Sequence, residues 1–154
     1  MSQVVALIAG LGNPGAGYVS TRHNAGFWFA DALLRRGGGA WRLENKFNGE
    51  VARIRIADAE VWMIKPMTFM NRSGQAVRAL ADFYKIPASH ILVAHDELDL
   101  APGIARFKRG GGHGGHNGLR DLHRHFGGPD YGRLRIGIGH PGHRDEVLNY
   151  VLGK

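Results

Sequence analysis

The apolar residues at the start of the chain fall into two different patterns. Residues Val4–Gly10 form a continuous apolar run that predicts a buried strand, and the turn-forming residues Gly12–Gly15 follow it. Residues Asn24–Arg36 instead carry apolar side chains at helical spacing, and the three glycines Gly37–Gly39 predict where that helix ends. The chain is therefore expected to open with a strand, a loop and a helix.

The same two patterns alternate through the rest of the chain. Glu50–Ile56 and Val61–Ile64 predict a β-hairpin. A second helix is predicted to begin with Ser73 as its cap. Its inner face would carry Val77, Leu80, Ala81 and Tyr84. The remaining predicted elements are strands at Ile91–Ala94, Ile104–Lys108 and Leu134–Ile138 and helices at Leu119–Phe126 and Asp145–Leu152.

Strands and helices mixed in this way predict a single α/β domain over residues 1–154, with three layers, α/β/α, around a twisted mixed β-sheet. With 154 residues, 44% of them hydrophobic, the chain is long enough for a real core. Folds of this kind bind their ligands at loops beyond the strand ends. Four such predicted loops carry residues suited to chemistry: Gly12–Asn24, Lys65–Ser73, His95–Leu100 and Gly110–Gly118.

The charge balance favours one class of partner. Lysine and arginine number 20 against 13 acidic residues, and the formal net charge of +7 favours an anionic partner, above all nucleic acid. The chain has no cysteine, which excludes disulfides, thiolate metal sites and cysteine nucleophiles. The apolar run Val4–Ala9 is too short for a signal peptide or a membrane span, so we expect a cytoplasmic location and no membrane partner.

The stretch Arg106–Leu119 is the most informative part of the chain. Its glycines allow left-handed backbone conformations and the close approach of a ligand. Three basic residues precede the glycines, and the polar side chains of His116 and Asn117 end the run. This composition suits a loop that binds a phosphate-bearing polymer. The alternative is a flexible linker, but the absence of serine and the flanking apolar runs favour binding.

His23 and Asp96 form a candidate acid–base pair. His23 lies at the start of the first predicted helix, and Asp96 follows a predicted buried strand. A carboxylate beside a histidine fixes its tautomer and lets the other ring nitrogen take a proton from water. A lone histidine is more often structural, and only the Thr21–Asn24 setting and the acidic partner favour catalysis.

Three asparagines, Asn13, Asn71 and Asn117, lie on loops expected to converge near the histidine. Asparagine is common in turns, so each one alone favours a turn. Together, their amides could hold a peptide group, position water or stabilise an oxyanion. Methionine and phenylalanine in the Lys65–Asn71 loop would normally be core residues but could equally face an apolar ligand.

Patterns for metal, nucleotide-cofactor and serine chemistry are missing. The chain has no His-Glu-x-x-His pattern, and the spacing of His113 and His116 in a glycine loop is unspecific. The loop lacks the Gly-Lys-Ser/Thr ending of a P-loop and the context of a dinucleotide fold. No serine lies in a Gly-x-Ser-x-Gly sequence. We therefore predict neither a metal nor a cofactor.

Five blocks of the sequence, in order along nearly the whole chain, resemble bacterial-type peptidyl-tRNA hydrolases. They are Gly10–Gly15 with Tyr18 and Thr21–Asn24, Lys65–Asn71 with Ser73 and Gly74, His95–Leu100, Gly110–Leu119, and Arg133–Pro141. The resemblance implies a monomeric, metal-independent esterase without a cofactor, which frees tRNA from peptides released by the ribosome.

The resemblance also implies roles for individual residues. His23 would be the base and Asp96 its partner, while Lys108 and Arg135 would clamp a tRNA phosphate. The substrate-binding residues would be Asn13, Tyr18, Phe69, Met70, Asn71, His116 and Asn117, with His116 close to the acceptor end of the tRNA.

Two other functions stay open at this point. One is a non-catalytic RNA-binding module on the same scaffold, and the other is a phosphate-ester hydrolase that uses the basic loop. Asn13, His23 and Asp96 favour an enzyme, because binding alone needs no His–Asp pair. The phosphate-ester hydrolase lacks obvious metal-binding carboxylates.

The family resembled here usually continues past Lys154 with a further helical segment. The predicted helix Asp145–Leu152 has an apolar stripe that would need a partner. This stripe consists of Val147, Leu148, Val151 and Leu152. We expect a chain of this length to be less stable and to bind tRNA more weakly than a longer member, with the same pH dependence of its chemistry.

Overall fold

The computed structural model describes residues 4–153, which form seven strands and four α-helices. The strands are β1 (Leu7–Gly10), β2 (Arg42–Glu44), β3 (Gly49–Ile56), β4 (Ala59–Pro66), β5 (Ile91–Glu97), β6 (Ala105–Arg109) and β7 (Gly132–Gly137). The helices are α1 (Ala25–Gly37), α2 (Ser73–Phe83), α3 (Asn117–Phe126) and α4 (Val147–Val151).

The strands form one mixed sheet in the order β2-β3-β4-β1-β5-β7-β6. Strands β4, β1, β5 and β7 are parallel, whereas β3 and β6 run antiparallel to them. The predicted hairpin is confirmed, with Ile56 of β3 facing Ala59 of β4. The carboxyl ends of β1, β4 and β5 lie at one edge of the sheet, and the loops after them start together there.

Strand β1 shows how the sheet divides the core, because successive side chains of a strand point to opposite faces. Leu7 and Ala9 pack in a cluster with Leu80 of α2 and Leu122 of α3. Ile8 packs on the other face, in a cluster with Ala30 and Leu34 of α1. Both faces of the strand are buried, which explains why its sequence is apolar throughout. The predicted three-layer α/β/α fold is confirmed.

Two glycines let α1 approach the sheet closely. A Cβ on Gly26 of α1 would lie 2.4 Å from the Ala94 carbonyl oxygen and 2.5 Å from the Leu11 nitrogen. A Cβ on Gly10 of β1 would lie 2.4 Å from the carbonyl oxygen of Gly26. The backbones of helix and strand are therefore in contact, and this contact fixes the start of α1 beside the carboxyl ends of β1 and β5.

Three details of the predicted elements were wrong, in each case because tertiary contacts decide them. Strand β1 begins at Leu7, and Val4 is 61% exposed. Ser73 does not cap α2 but is its first residue, and its hydroxyl donates to the Met70 carbonyl over 2.8 Å. Tyr84 lies past the end of α2, where it stacks on Trp62 with ring centroids 4.1 Å apart.

The predicted C-terminal helix is shorter than expected and finds a partner within the chain. Its first residues form a 3₁₀ turn, Arg144–Glu146, which precedes α4. Val151 is buried in a cluster with Ala25 and Ile138, and only Leu148 of the apolar stripe is largely exposed. Across residues 4–153, no helix has both the length and the apolar character needed to cross a bilayer.

We predict that Gly26→Ala destabilises the protein by at least about 1–3 kcal/mol, because the added methyl group meets backbone atoms that cannot rotate away. Gly17→Ala is the matched control, since a Cβ there has no atom within 4 Å. Its effect should stay within about 0.5 kcal/mol. Thermal and urea unfolding of both variants measure this, and equal stabilities would contradict the close contact.

Candidate active site

His23 and Asp96, the predicted acid–base pair, are in direct contact. His23 lies in a 3₁₀ turn, Arg22–Asn24, that leads into α1, and Asp96 lies near the end of β5. The Nδ1 atom of His23 is 2.8 Å from Oδ2 of Asp96, and both side chains are buried. Because an ionised carboxylate can only accept, His23 carries a proton on Nδ1 and keeps the lone pair of Nε2. That lone pair is available to act as a base.

The second oxygen of Asp96 binds another histidine, His116. The Nε2 atom of His116 is 2.7 Å from Oδ1 of Asp96. The other ring nitrogen, Nδ1, accepts from the backbone N–H groups of Gly118 and Leu119, so the side chain caps α3. His116 thus connects the N-terminus of α3 to the carboxylate that also holds His23.

Two histidine contacts keep the buried Asp96 ionised. Burial by itself disfavours the charged carboxylate and would raise its pKa. The interaction with His116, followed by that with His23, outweighs burial and holds the pKa of Asp96 well below its ordinary value. The carboxylate is therefore charged at neutral pH and can stabilise a positive charge on His23.

A cavity of about 410 Å³ opens beside this cluster. His23 and Asn117 line it on the side of the cluster, and Leu98, Val147 and Leu148 contribute an apolar wall. Apolar walls with a few convergent polar groups are typical of sites that bind small molecules or parts of larger ligands. The predicted residue Asn117, the exposed first residue of α3, therefore lines the same cavity as His23.

Asn13 lies outside the cavity beside His23 and is held in place by hydrogen bonds to Asn24, the residue after His23, and to Met70. The side chain of Asn24 accepts from the Asn13 backbone N–H over 2.8 Å and donates to the Asn13 carbonyl over 3.0 Å. The Oδ1 atom of Asn13 accepts from the backbone N–H of Met70 over 2.7 Å. Its oxygen fixes the turn at Met70, and its Nδ2 donor makes no hydrogen bond to residues 4–153.

The turn after β4 separates core residues from exposed residues. Met70 is 4% exposed and belongs to the main core cluster, which contradicts the idea that it faces an apolar ligand. Phe69 is 59% exposed and packs edge-on against Tyr18, with ring centroids 6.2 Å apart. Asn71 is exposed next to them. Tyr18, Phe69 and Asn71 together form a partly apolar surface near Asn13.

The glycine-rich loop starts at the end of the sheet that lies away from Asp96. Strand β6 runs antiparallel to β7, so Arg109 pairs with Gly132 at the beginning of β7. Gly110 therefore leaves the sheet at the end opposite to Asp96. The loop then returns across the sheet and brings His116 to Asp96. Only the last part of this loop, from His113 onward, reaches the cavity beside His23.

Arg133 of β7 anchors this loop. Its guanidinium donates to the carbonyl oxygens of Gly111 and Gly112 over 2.7 Å each, and it contacts Nε2 of His123 at 3.0 Å. The residue is 2% exposed, and no carboxylate among residues 4–153 lies within ion-pair distance of it. Because arginine only donates, His123 must accept. Burial, followed by the positive charge of Arg133, lowers the pKa of His123.

Four basic residues share one face of the sheet at its β6 edge. Arg106 pairs with Arg135 and Lys108 with Arg133, so all four side chains project from the same face. Arg135 donates from Nε to Glu97 over 2.9 Å, and this bond lowers the pKa of Glu97 against the opposing effect of burial. No carboxylate of residues 4–153 pairs with Lys108. Lys108 is thus the less compensated of the two predicted phosphate contacts.

His23, Asp96 and His116 are also close enough to be considered as metal ligands. One ligand atom of each lies within 4.8 Å of the others. However, the nitrogens that face Asp96 are at hydrogen-bond distance from it, and Nδ1 of His116 is used by α3. Among these histidine nitrogens, only Nε2 of His23 keeps a lone pair without a bonding partner. The contacts fit a hydrogen-bonded cluster better than a metal site.

Arg133 and Arg144 shape the site although no role was predicted for either. Arg133 lies two residues before Arg135 in β7, and this spacing indicates that the two side chains project from the same face of the sheet. Arg144 lines the cavity near His23 from the turn before α4. Nothing in its sequence context distinguishes it from other exposed arginines.

The sequence and the fold were compared with those of known proteins to identify the family of this chain. The family model for peptidyl-tRNA hydrolases matches residues 7–154, a range that includes all the site residues described above. The chain belongs to the peptidyl-tRNA hydrolase family. It is accordingly a hydrolase, of a family that hydrolyses peptidyl-tRNA.

Members of the family are similar to this chain in both sequence and structure. The peptidyl-tRNA hydrolase of Halorhodospira halophila is 62% identical over 148 residues, covering 96% of this chain and 76% of the relative. That of Neisseria meningitidis is 58% identical over 154 residues, covering 100% and 80%. The crystal structure of the Acinetobacter baumannii peptidyl-tRNA hydrolase has a TM-score of 0.95 at 52% identity, covering 100% of this chain and 79% of that one.

The His95 ring packs edge-on against the His116 ring, with ring centroids 5.2 Å apart. The Nδ1 atom of His95 is 2.8 Å from the Asp96 carbonyl oxygen, to which it donates, and the residue is 2% exposed. Burial, followed by the interaction with His116, lowers the pKa of His95 from its ordinary 6.5 to about 4. The ring is therefore neutral at neutral pH in the folded protein.

We predict that His95 makes the protein sensitive to moderate acid. Unfolded chains bind a proton here below about pH 6.5 and the folded protein only below about 4, so stability falls as the pH drops through this window. The loss reaches at most about 3 kcal/mol. Melting curves across this range should show a smaller loss for His95→Asn, which keeps a donor for the Asp96 carbonyl. Equal pH slopes in both proteins would contradict the prediction.

Proposed function

We propose that this protein hydrolyses the ester between a peptide, or an N-blocked aminoacyl group, and the 3′-ribose of tRNA, using water activated by His23. One observation carries the proposal. Asp96 holds the Nδ1–H of His23, so Nε2 is free to act as a base at the wall of a cavity.

The proposed reaction has two proton transfers. Nε2 of His23 takes a proton from water while the water oxygen adds to the ester carbonyl carbon. The tetrahedral intermediate then breaks its bond to the 3′ oxygen, which takes the proton back from the imidazolium. The products are a peptide with a free carboxyl group and a tRNA with a free 3′ hydroxyl. Between the two transfers, ionised Asp96 stabilises the charged His23 ring.

Three asparagines are proposed to bind the peptide ester, and one of them, Asn117, lines the cavity together with His23. In this proposal, Nδ2 of Asn13 and the amide of Asn71 hold the peptide backbone, and Asn117 positions the water or stabilises the oxyanion. Tyr18 and Phe69 would contact the peptide side chains, because Phe69 offers exposed aromatic surface next to Asn71 and the half-buried Tyr18 packs edge-on against it. Met70 would contribute from the core, by fixing the turn.

The RNA would lie over the basic face of β6 and β7. Lys108 and Arg135 are proposed to bind a phosphate there, since both project from the same face and Lys108 has no ion-pair partner among residues 4–153. Strands β6 and β7 lie on one flank of β5, and β4, which leads to Phe69, lies on the other. The tRNA would therefore reach His23 from the β7 flank, and the peptide would extend toward Phe69 and Tyr18.

We further propose that the reaction needs no metal and no cofactor, and that one copy of this single-domain chain suffices. The hydrogen-bonding of both nitrogens of His116 supports a metal-free site. All the proposed catalytic and binding groups come from one chain, which supports a monomer. The cytoplasm is the proposed location, because peptidyl-tRNA arises during translation.

An N-blocked aminoacyl-tRNA should be hydrolysed much faster than its unblocked counterpart, because the blocked form supplies the peptide-like amide that the asparagines would bind. Release of the labelled acyl group from both substrates measures the preference. Binding of tRNA without any hydrolysis would instead favour a non-catalytic RNA-binding module. Equal rates on both substrates would contradict recognition of the amide.

His23→Ala should lower turnover by roughly 10²–10⁴-fold, the usual contribution of a general base, and should leave tRNA binding nearly unchanged. His90→Ala is the matched control, because His90 lies at the opposite end of β5 and should tolerate the change. Single-turnover rates and equilibrium binding measure the two effects. Turnover within a few-fold of the unmodified protein would remove His23 from the mechanism.

Chelators provide a separate control for the same experiment. We expect the rate of the unmodified protein to be the same with and without chelator. Inhibition by a chelator that is reversed by a divalent cation would contradict the metal-free mechanism without affecting the assignment of His23 as a site residue.

Lys108→Ala should weaken tRNA binding and reduce the slope of log K against log salt concentration by about one. Arg135→Ala should reduce it by less, because Glu97 already neutralises part of its charge. Arg55→Ala, at the far edge of the sheet, is the control and should leave the slope unchanged. A short ester substrate without the tRNA body should respond to none of these changes. Equal losses on short and full substrates would contradict phosphate binding.

A further inference from the structure

The two ring nitrogens of His116 have different partners, and these partners determine its tautomer. Nε2 is 2.7 Å from Oδ1 of Asp96, while Nδ1 lies 3.1 Å and 3.3 Å from the backbone nitrogens of Gly118 and Leu119. A backbone N–H can only donate, so Nδ1 must be an unprotonated acceptor. The proton of the neutral ring therefore lies on Nε2 and points at the carboxylate.

This arrangement transmits the polarity of α3 to the carboxylate. The N-terminus of a helix carries partial positive charge, and here its first N–H groups polarise the imidazole ring from the Nδ1 side. Polarisation of this kind strengthens a hydrogen bond donated from the other end of a ring. Asp96 therefore receives a strong bond on Oδ1, and Oδ2 is held in place for His23.

Few of the atoms of His116 remain for a substrate. Both nitrogens are bonded within the protein, and 9% of the side chain is exposed. The ring lies between those of His23 and His95, with centroid distances of 5.0 Å and 5.2 Å. Its position and bonding suit a part of the scaffold that orients the reacting groups.

We propose that His116 is a positioning residue for the reaction, which couples the N-terminus of α3 to Asp96 and thereby orients His23. The inference rests on the proposed function, because it concerns how the proposed base is held. It differs from the substrate contact expected from family resemblance, since here His116 acts through Asp96. Removing its bond to Asp96 should therefore lower kcat with little change in KM.

Two substitutions separate the cap from the carboxylate contact. Asparagine is among the best N-cap residues, so His116→Asn keeps an acceptor for the N–H groups of Gly118 and Leu119 but is too short to reach Asp96. His116→Gln places an amide N–H near the position of Nε2, so it can donate to Asp96 but loses the cap. His125→Asn, in the last turn of the same helix, is the control.

The two variants should show opposite changes in stability and activity. His116→Asn should melt within a few degrees of the unmodified protein but lose about tenfold or more in kcat, with KM for the tRNA substrate within about twofold, because hydrogen bonds to charged groups are strong. His116→Gln should melt lower but keep kcat within about threefold. His125→Asn should change kcat by less than twofold.

Three outcomes would overturn the inference. They are an unchanged kcat in His116→Asn, an equal loss of kcat in both variants, and parallel losses of kcat and melting temperature. Nitrogen NMR of the unmodified protein at neutral pH tests the geometry even if a variant does not fold. It should show the neutral Nε2–H tautomer for His116, and a protonated Nδ1 would overturn the inference.

The result is also distinguishable from a failure of the proposed function. If His23→Ala retains turnover, the proposed mechanism fails whatever the His116 variants do. If His23→Ala is inactive while His116→Asn matches the unmodified protein, the mechanism stands and only the role of His116 is rejected.

Discussion

The buried carboxylate of Asp96 is the group on which the site depends. Its two oxygens bind His23, which precedes α1, and His116, which caps α3. Those helices pack on opposite faces of the sheet, so one carboxylate joins both outer layers at the carboxyl end of β5. A buried charge is costly without such partners. The two histidines together therefore stabilise the charge on Asp96.

Buried polar side chains also hold the glycine-rich loop in place, Arg133 at its start and His116 at its end. Glycine offers no side chain by which a loop can be packed in place, so this loop is held through its backbone carbonyls by Arg133. At its other end, His116 uses backbone N–H groups and Asp96 to fix the start of α3. A segment with little apolar surface thus obtains a defined path from polar contacts at both ends.

Local sequence patterns were sufficient to predict most of the fold. The hairpin Glu50–Ile56 with Val61–Ile64 was predictable, because a strand with one buried face alternates between apolar and polar residues. Strand direction was not predictable in this way, since apolar periodicity is the same in both directions. For that reason the sequence could not show that the loop after β6 starts at the end of the sheet away from Asp96. Ser73 was misjudged because a nearby carbonyl competes for its hydroxyl.

The candidate site was predictable as a set of residues but less so as a set of contacts. His23 and Asp96 were paired correctly, since residue type and strand-end position restrict where such groups meet. The bonding of His116 was not predictable, because it requires the N-terminus of α3 to lie against β5. Met70 was uncertain for a similar reason: its flanking residues are exposed while its own side chain fills the core.

The contact between Gly10 and Gly26 has a consequence for how the surrounding chain can vary. Because the backbones of α1 and β1 touch, the depth at which His23 lies is set by main-chain atoms and not by the size of core side chains. Repacking of the neighbouring core would therefore leave the ring where it is.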